Sequence, residues 1–157
     1  MSRALDILET LEARLQAITV AGGYNTNAGQ KVYMGRAFLD ADKDIPSLTL
    51  HEGRPTGDGF SFVENTSQRP EIGARMEPEY TVEGLVASGA STPIAAAHSL
   101  LADIKKALWG QHDCGELTGA MNHQFVGHAV LPHQAGSNRM AVAVVGKYTY
   151  VENFAAP

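Results

Sequence analysis

Histidine is the residue type in this chain that most readily suggests metal chemistry. The sequence contains six histidines, and His123, His128 and His133 follow one another at intervals of five. On an extended strand an odd interval sends successive side chains to opposite faces, so these three would not converge on one ion. No compact ligand motif such as H-E-x-x-H accompanies them. The pattern favours structural or exposed histidines and predicts no metal site.

Cys114, the single cysteine, lies beside His112 and Asp113. A thiol and a base this close in sequence seldom reach the geometry that proton exchange needs, which favours a small residue in a glycine-rich loop over a nucleophile. One cysteine also excludes an internal disulfide and a thiolate zinc site. An alternative stays open: a small cytosolic enzyme that uses the region from His112 through Cys114 to His133.

Other catalytic and nucleotide-binding patterns are weak. The sequence has no G-x-S-x-G elbow, and its glycine-rich residues 53–59 carry Pro55 and Asp58 where a phosphate cradle needs free N–H groups and no negative charge. Glu77 and Glu79 would share one face of a strand, where acidic residues commonly protect a sheet edge. We therefore predict no catalytic residue and no cofactor.

Length and charge limit the class of protein. The chain has 157 residues, which predicts a single domain over residues 1–157. Twelve basic against 17 acidic residues give a net charge of −5, and no basic segment could clamp a phosphate backbone. Charged residues interrupt the first apolar segment, so it is neither a secretory signal nor a membrane span. We expect a soluble, intracellular protein without membrane or specific nucleic-acid partners.

Two helices are predicted to position the rest of the chain. The first runs from about Ser2, its cap, to Val20, before Gly22 and Gly23. The second has Thr92 as its cap and Pro93 in its first position, and it ends at Gly110. Spacings of three and four define a buried stripe on each helix. The stripes are Leu5, Leu8, Leu11, Leu15 and Ile18, and Ile94, Ala97, Leu101, Ile104 and Leu108.

Strands are expected at residues 31–34, 47–52, 75–88, 124–131 and 140–151. Alternation over 47–52 predicts one buried face, and Pro78 predicts that the first part of 75–88 lies at a sheet edge. The last two strands should form an antiparallel hairpin. Because the elements do not alternate as β-α-β units, we predict an α+β fold with a mostly antiparallel sheet and two main helices packed on one face.

A long loop is predicted at residues 53–73, where few residues are apolar. A structureless connection of this length is usually functional or disordered. We hypothesise that it orders on assembly and forms an interface, with Arg54 and Arg69 pairing with carboxylates of a neighbour and Phe60 and Phe62 as desolvated anchors. A solvated, disordered loop is the alternative.

A series of short motifs runs through nearly the whole chain, from the first predicted helix to the last strand. In order they are Gly23-Tyr24-Asn25-Thr26, Val32-Tyr33-Met34-Gly35-Arg36, Ile45-Pro46-Ser47-Leu48, Glu52-Gly53, Tyr80-Thr81-Val82-Glu83-Gly84, residues 97–105, and the strand from Val144 to Tyr150. With this order of motifs the chain resembles the tail terminator, or minor tail completion, proteins of long-tailed bacteriophages. The motifs are structural and carry no catalytic signature.

The resemblance implies a structural α+β subunit that is not an enzyme. Such a subunit assembles in the host cytoplasm into a ring, typically a hexamer, at the head-proximal end of the virion tail. It stops polymerisation of the tail tube and offers a surface for head joining. Its implied partners are further copies of itself, the tail tube protein and a head-tail connector or neck protein, and it requires no cofactor.

Ring formation is physically compatible with this chain. A heterologous interface generates a closed ring when the rotation from one subunit to the next adds up to a full turn. Growth beyond the ring stops where its outer face presents no complementary surface. The net charge of −5 suits a lumen through which DNA passes without specific binding. Alternatives within the same machinery are a neck or head-completion protein and a tail-tube subunit. A monomeric protein-binding module is a further alternative.

Overall fold

The computed structural model describes residues 2–35, 45–53, 65–69, 73–88, 92–110, 117–131 and 138–154. Two α-helices and a seven-stranded, mostly antiparallel sheet confirm the α+β prediction. The helices are α1 (Arg3–Gln16) and α2 (Pro93–Lys105). The strands are β1 (Val32–Met34), β2 (Ser47–Glu52), β3 (Asn65–Arg69), β4 (Gly73–Met76), β5 (Glu79–Ala87), β6 (Asn122–Val130) and β7 (Arg139–Glu152). None of the described helices is long and apolar enough to cross a membrane.

Helix α1 is shorter than its apolar pattern predicts. It ends at Gln16, and a separate 3-10 turn follows at Val20–Gly22 because the Thr19 side chain accepts a hydrogen bond from the Gly22 N–H. Ser2 occupies the N-cap position, although its side chain makes no capping hydrogen bond. The buried stripe is Ile7, Leu8, Leu11, Leu15 and Ile18. Leu5, predicted as buried, is 36% exposed.

Helix α2 begins with Pro93 in its first turn, as predicted. A π-helical turn, Lys106–Gly110, continues it to the predicted end at Gly110. The buried stripe starts one turn later than expected, because Ile94 is 57% exposed whereas Leu100 is fully buried.

Strand β7 is the centre of the sheet. It pairs antiparallel with β5 on one side and with β6 on the other, which confirms the predicted terminal hairpin. On its outer side β5 pairs with β2, and β2 pairs in parallel with β1, the edge strand. Helix α1 packs on β1 and β2, and α2 packs on β5 and β7. Their buried faces share one hydrophobic core with the sheet.

The predicted strand over residues 75–88 is divided into β4 and β5. The two lie in one continuous register along β7, because Met76 is opposite Tyr150 and Glu79 is opposite Lys147. Pro78 falls in the interruption, where its missing N–H costs no ladder bond. The predicted edge position is therefore wrong: β4 pairs with β3 on one side and β7 on the other.

Three further strand predictions need correction. Residues 53–73 are not structureless throughout, because β3 pairs antiparallel with β4 and this backbone pairing does not depend on apolar side chains. In β2 all four residues from Ser47 to Leu50 are buried, because β2 has a strand on each side. Glu77 lies between strands, beside Arg75 at 3.4 Å, and so does not share a strand face with Glu79.

Candidate assembly surface

Strand β6 lies at an edge of the sheet and is almost entirely exposed. His123 is its one buried residue, and within the described part of the chain β6 pairs with β7 alone. Edge strands are commonly protected from intermolecular pairing by charged residues or proline. The β6 sequence NHQFVGHAV contains no Asp, Glu, Lys, Arg or Pro. Phe125 and Val126 are 45% and 39% exposed, so this edge presents apolar side chains beside backbone groups that pair with no described strand on the outer side.

A β-bulge decides which β6 side chains share a face. The register with β7 shifts between Phe125 and Gly127, which makes Val126 the extra residue. His123 and His128 lie opposite Tyr148 and Val144, whose side chains both point into the core. The expectation that an interval of five separates these histidines is therefore wrong. Among the described residues, no group of three or more potential metal ligands occurs around them.

Tyr80 links β5 to β6 across the intervening strand. Its ring lies over Gly146 of β7, where a Cβ atom would come within 2.4 Å of the ring. The Tyr80 hydroxyl is hydrogen-bonded to Nε2 of His123 at 2.5 Å. Burial raises the pKa of Tyr80 well above its usual 10.0, with Arg14 acting in the opposite direction and Tyr148 in the same direction. The hydroxyl is therefore neutral, and the pair anchors β6 to the core.

Aromatic contacts continue from this anchor to the surface. The Trp109 ring stacks on His123 with 5.0 Å between ring centroids, and it meets Phe125 edge-on at 5.4 Å. The Lys105 ammonium lies 5.2 Å from the centre of the Phe125 ring and 3.1 Å from Nδ1 of His128. We call the exposed Phe125, Val126 and His128, together with the half-buried Lys105, the β6 surface. It is apolar and aromatic, with one cation at its margin.

Helix α2, which presents Lys105, is held in place by a buried carboxylate. Asp103 is 1% exposed and accepts four hydrogen bonds of 2.8–2.9 Å. The donors are the backbone N–H and the side chain of Asn25 and of Thr26. Lys106 donates to the Gly23 carbonyl at 2.8 Å in the same turn. These bonds satisfy the buried charge and fix the turn against α2.

An open cleft of about 440 Å³ lies between α1 and the π-helical turn. Its titratable lining groups are Arg14 and Tyr24. The Arg14 guanidinium donates to the Leu108 carbonyl at 3.0 Å, and burial, followed by the charge of Asp103, raises the pKa of Tyr24. This arrangement braces α1 against the π-helical turn.

The residues predicted from the sequence as an interface are mostly outside the described part of the chain. Arg54, Phe60 and Phe62 lie there, while Arg69 ends β3 opposite Gly73. The enzyme alternative depends on His112, Cys114 and His133, which also lie outside it. Both hypotheses stay predictions. The sequence interpretation did not identify Lys105 and Phe125 as candidate site residues. The signal that could have indicated this region was the absence of protective charge from the β6 sequence.

Comparisons with known proteins add a fold relationship. No family model matches the chain, and no curated protein matches it. A chain in the solved structure of the virion of a native gene transfer agent particle is similar to it, with a TM-score of 0.59 and 16% sequence identity. The similarity covers 92% of this chain and 93% of that chain. The two chains therefore share a fold over nearly their whole lengths.

Proposed function

We propose that this chain is a structural subunit of a phage-like particle and, within such a particle, the tail terminator. The observation that carries the proposal is the fold shared, almost end to end, with a chain of a gene transfer agent virion. The motifs that resemble tail terminators run through the same length of sequence. A fold alone does not define a function, so the proposal also depends on the surface that the fold presents.

The exposed edge suits a protein that works by assembly. Several copies form a closed ring, typically of six, at the head-proximal end of the tail, and they contact the tail tube protein on one side and a neck or connector protein on the other. Tube growth stops because the outer ring face presents no surface that matches another tube subunit. DNA passes through the lumen without specific binding, and no bond-making chemistry is required.

Electron microscopy tests this proposal at two levels. Particles made without the gene should have tails of uncontrolled length and heads that are not joined to them, because nothing stops the tube or presents the joining surface. Restoring the gene should restore both. Tails of normal length, joined to heads, in the absence of the gene would contradict the proposal.

The assembly state of the purified chain distinguishes a tail terminator from a tail-tube subunit. A terminator should give single closed rings, whereas a tail-tube subunit should give open-ended cylinders. Negative-stain images of the protein alone, and after addition of tail tube protein, distinguish the two. Cylinders would replace the terminator assignment with a tube subunit.

A further inference from the structure

We propose that the β6 surface binds the flank of helix α1 in a second copy of this chain. The inference rests on the proposed function, because it assumes that the chain assembles with itself, and it names the two surfaces that meet. We define the α1 flank as Leu5, Glu9, Glu12 and Gln16 of α1, together with the exposed Met34 of β1, the strand on which α1 packs.

The spacing of these residues places them on one side of the helix. Leu5, Glu9, Glu12 and Gln16 recur at intervals of four, three and four. Residues on another side of α1 face the π-helical turn, where Arg14 bonds the Leu108 carbonyl. The α1 flank therefore points away from α2. Because α1 packs on β1 and β2, the flank lies at the β1 edge of the sheet, opposite to the β6 edge.

The two surfaces carry complementary charge. Lys105 contacts His128 and Phe125, and no carboxylate in the described part of the chain pairs with it. Glu9 and Glu12 likewise form no ion pair among the residues that the structure describes. Charges that find no partner within one subunit can pair across an interface, where complementary potentials select the partner and its orientation. A second copy brings the acidic flank to the cationic margin.

Both surfaces also expose apolar side chains. Phe125 and Val126 are exposed on β6, while Leu5 and Met34 are each 36% exposed at the other edge. An aromatic anchor surrounded by polar groups is the common arrangement of an energetically dominant contact. Phe125 is held rigidly by Trp109, so it loses little side-chain freedom on binding.

The placement at opposite edges favours a ring over a two-fold dimer. Each copy offers one surface of each kind, so the contact is heterologous and repeats around a closed rotation. A two-fold contact of β6 with β6 would instead place two cationic margins in one interface and leave the acidic α1 flanks without a partner. Like charges in contact oppose such a dimer.

Reciprocal charge reversal tests the pairing. Lys105→Glu alone, or Glu9→Lys with Glu12→Lys, should weaken self-association by about tenfold or more because like charges then meet. Combining the two changes in one chain should restore association. Asp6→Lys is the control for charge on α1, since it reverses one carboxylate of the same helix outside the flank and should leave association unchanged. Sedimentation velocity over a range of concentrations measures each variant, and Lys105→Gln gives a milder second test.

The outcomes separate this inference from the proposed function. Restored association in the combined variant supports the pairing, provided that circular dichroism shows a folded protein. Association that none of the changes affects would overturn the pairing while leaving the ring proposal standing. A wild-type chain that stays monomeric in solution and is absent from purified particles would overturn both.

Discussion

Strands β5 and β6 are each nine residues long and pair antiparallel with opposite sides of β7, yet their burial differs sharply. Five residues of β5 are buried, compared with one of β6. Strand β5 has β2 on its outer side and α2 packed against it, whereas β6 has no second neighbour among the described residues. Burial is therefore set by the neighbours of a strand rather than by its pairing with β7.

The comparison indicates what β6 gains from a partner. Its apolar side chains contribute little to the stability of one subunit while they remain in water. Burying an aromatic or large aliphatic side chain contributes about 1.5–3 kcal/mol. Phe125 and Val126 are 45% and 39% exposed, so under the proposed pairing about half of that free energy becomes available when a second molecule covers the edge.

The largest expected effect comes from comparing two glycines, the buried Gly146 of β7 and Gly127 of the exposed strand β6. Gly146→Ala places a Cβ atom against the Tyr80 ring, and we expect it to lower the free energy of unfolding by about 3 kcal/mol. Gly127→Ala on β6 meets no atom within 4 Å and should change that free energy by less than about 0.5 kcal/mol. Urea denaturation measures both. Equal losses of unfolding free energy in the two variants would contradict the distinction between the core and the β6 edge.

Alkaline pH should lower the free energy of unfolding through two buried tyrosines, Tyr80 of β5 and Tyr148 of β7. Burial raises the pKa of Tyr80 and of Tyr148 above the usual 10.0, so the unfolded chain loses these protons first as the pH rises. Stability should be unaffected by these groups below pH 10 and should fall above it by about 1.4 kcal/mol per pH unit for each tyrosine. Thermal melting between pH 9 and 11 measures the slope. Tyr80→Phe should reduce it, and an unchanged slope would contradict the assignment.

Loss of the Tyr80–His123 hydrogen bond, which anchors β6 to β5, should have an intermediate effect on the free energy of unfolding. Tyr80→Phe removes the hydrogen bond to His123 and leaves a buried imidazole nitrogen without that partner, which should cost about 1–2 kcal/mol at neutral pH. Hydrogen exchange of β6 amides should increase more than that of β5 amides, because the bond holds β6 to the core. Uniform acceleration in both strands would argue against a specific anchor.

The smallest effect on stability is expected at the edge itself. Phe125→Ser removes a side chain that is 45% exposed and should lower the free energy of unfolding by no more than about 0.5 kcal/mol. Chemical denaturation of the monomeric fraction provides the measurement. A loss comparable to that of Gly146→Ala would show that Phe125 belongs to the core.

Hydrophobic periodicity predicted much of the fold. It identified both helices, the β2 strand and the terminal hairpin, because each pattern depends on neighbours in sequence. It missed β3, whose sequence NTSQR has no apolar alternation and which forms by backbone pairing with β4. The bulge at Val126 also left no signal in residue spacing, so the faces of His123 and His128 could not be assigned.

The candidate site was less predictable than the fold for a physical reason. Phe125 is exposed because no described strand lies on the outer side of β6, and this sheet order cannot be derived from the β6 sequence. The contact of Tyr80 with His123 requires Gly146 on a third strand, and no local pattern connects the three. The resemblance predicted an assembling subunit, whereas the surface proposed for assembly could be identified only once the order of the strands was known.

The most direct test of the account is native mass spectrometry of the wild-type chain beside a Phe125→Asp variant. A charge at this position opposes burial of the β6 surface while leaving the subunit core intact. The account predicts a closed oligomer of one size for the wild type and a folded monomer for the variant, with circular dichroism confirming the fold. Identical oligomers from both proteins would contradict it.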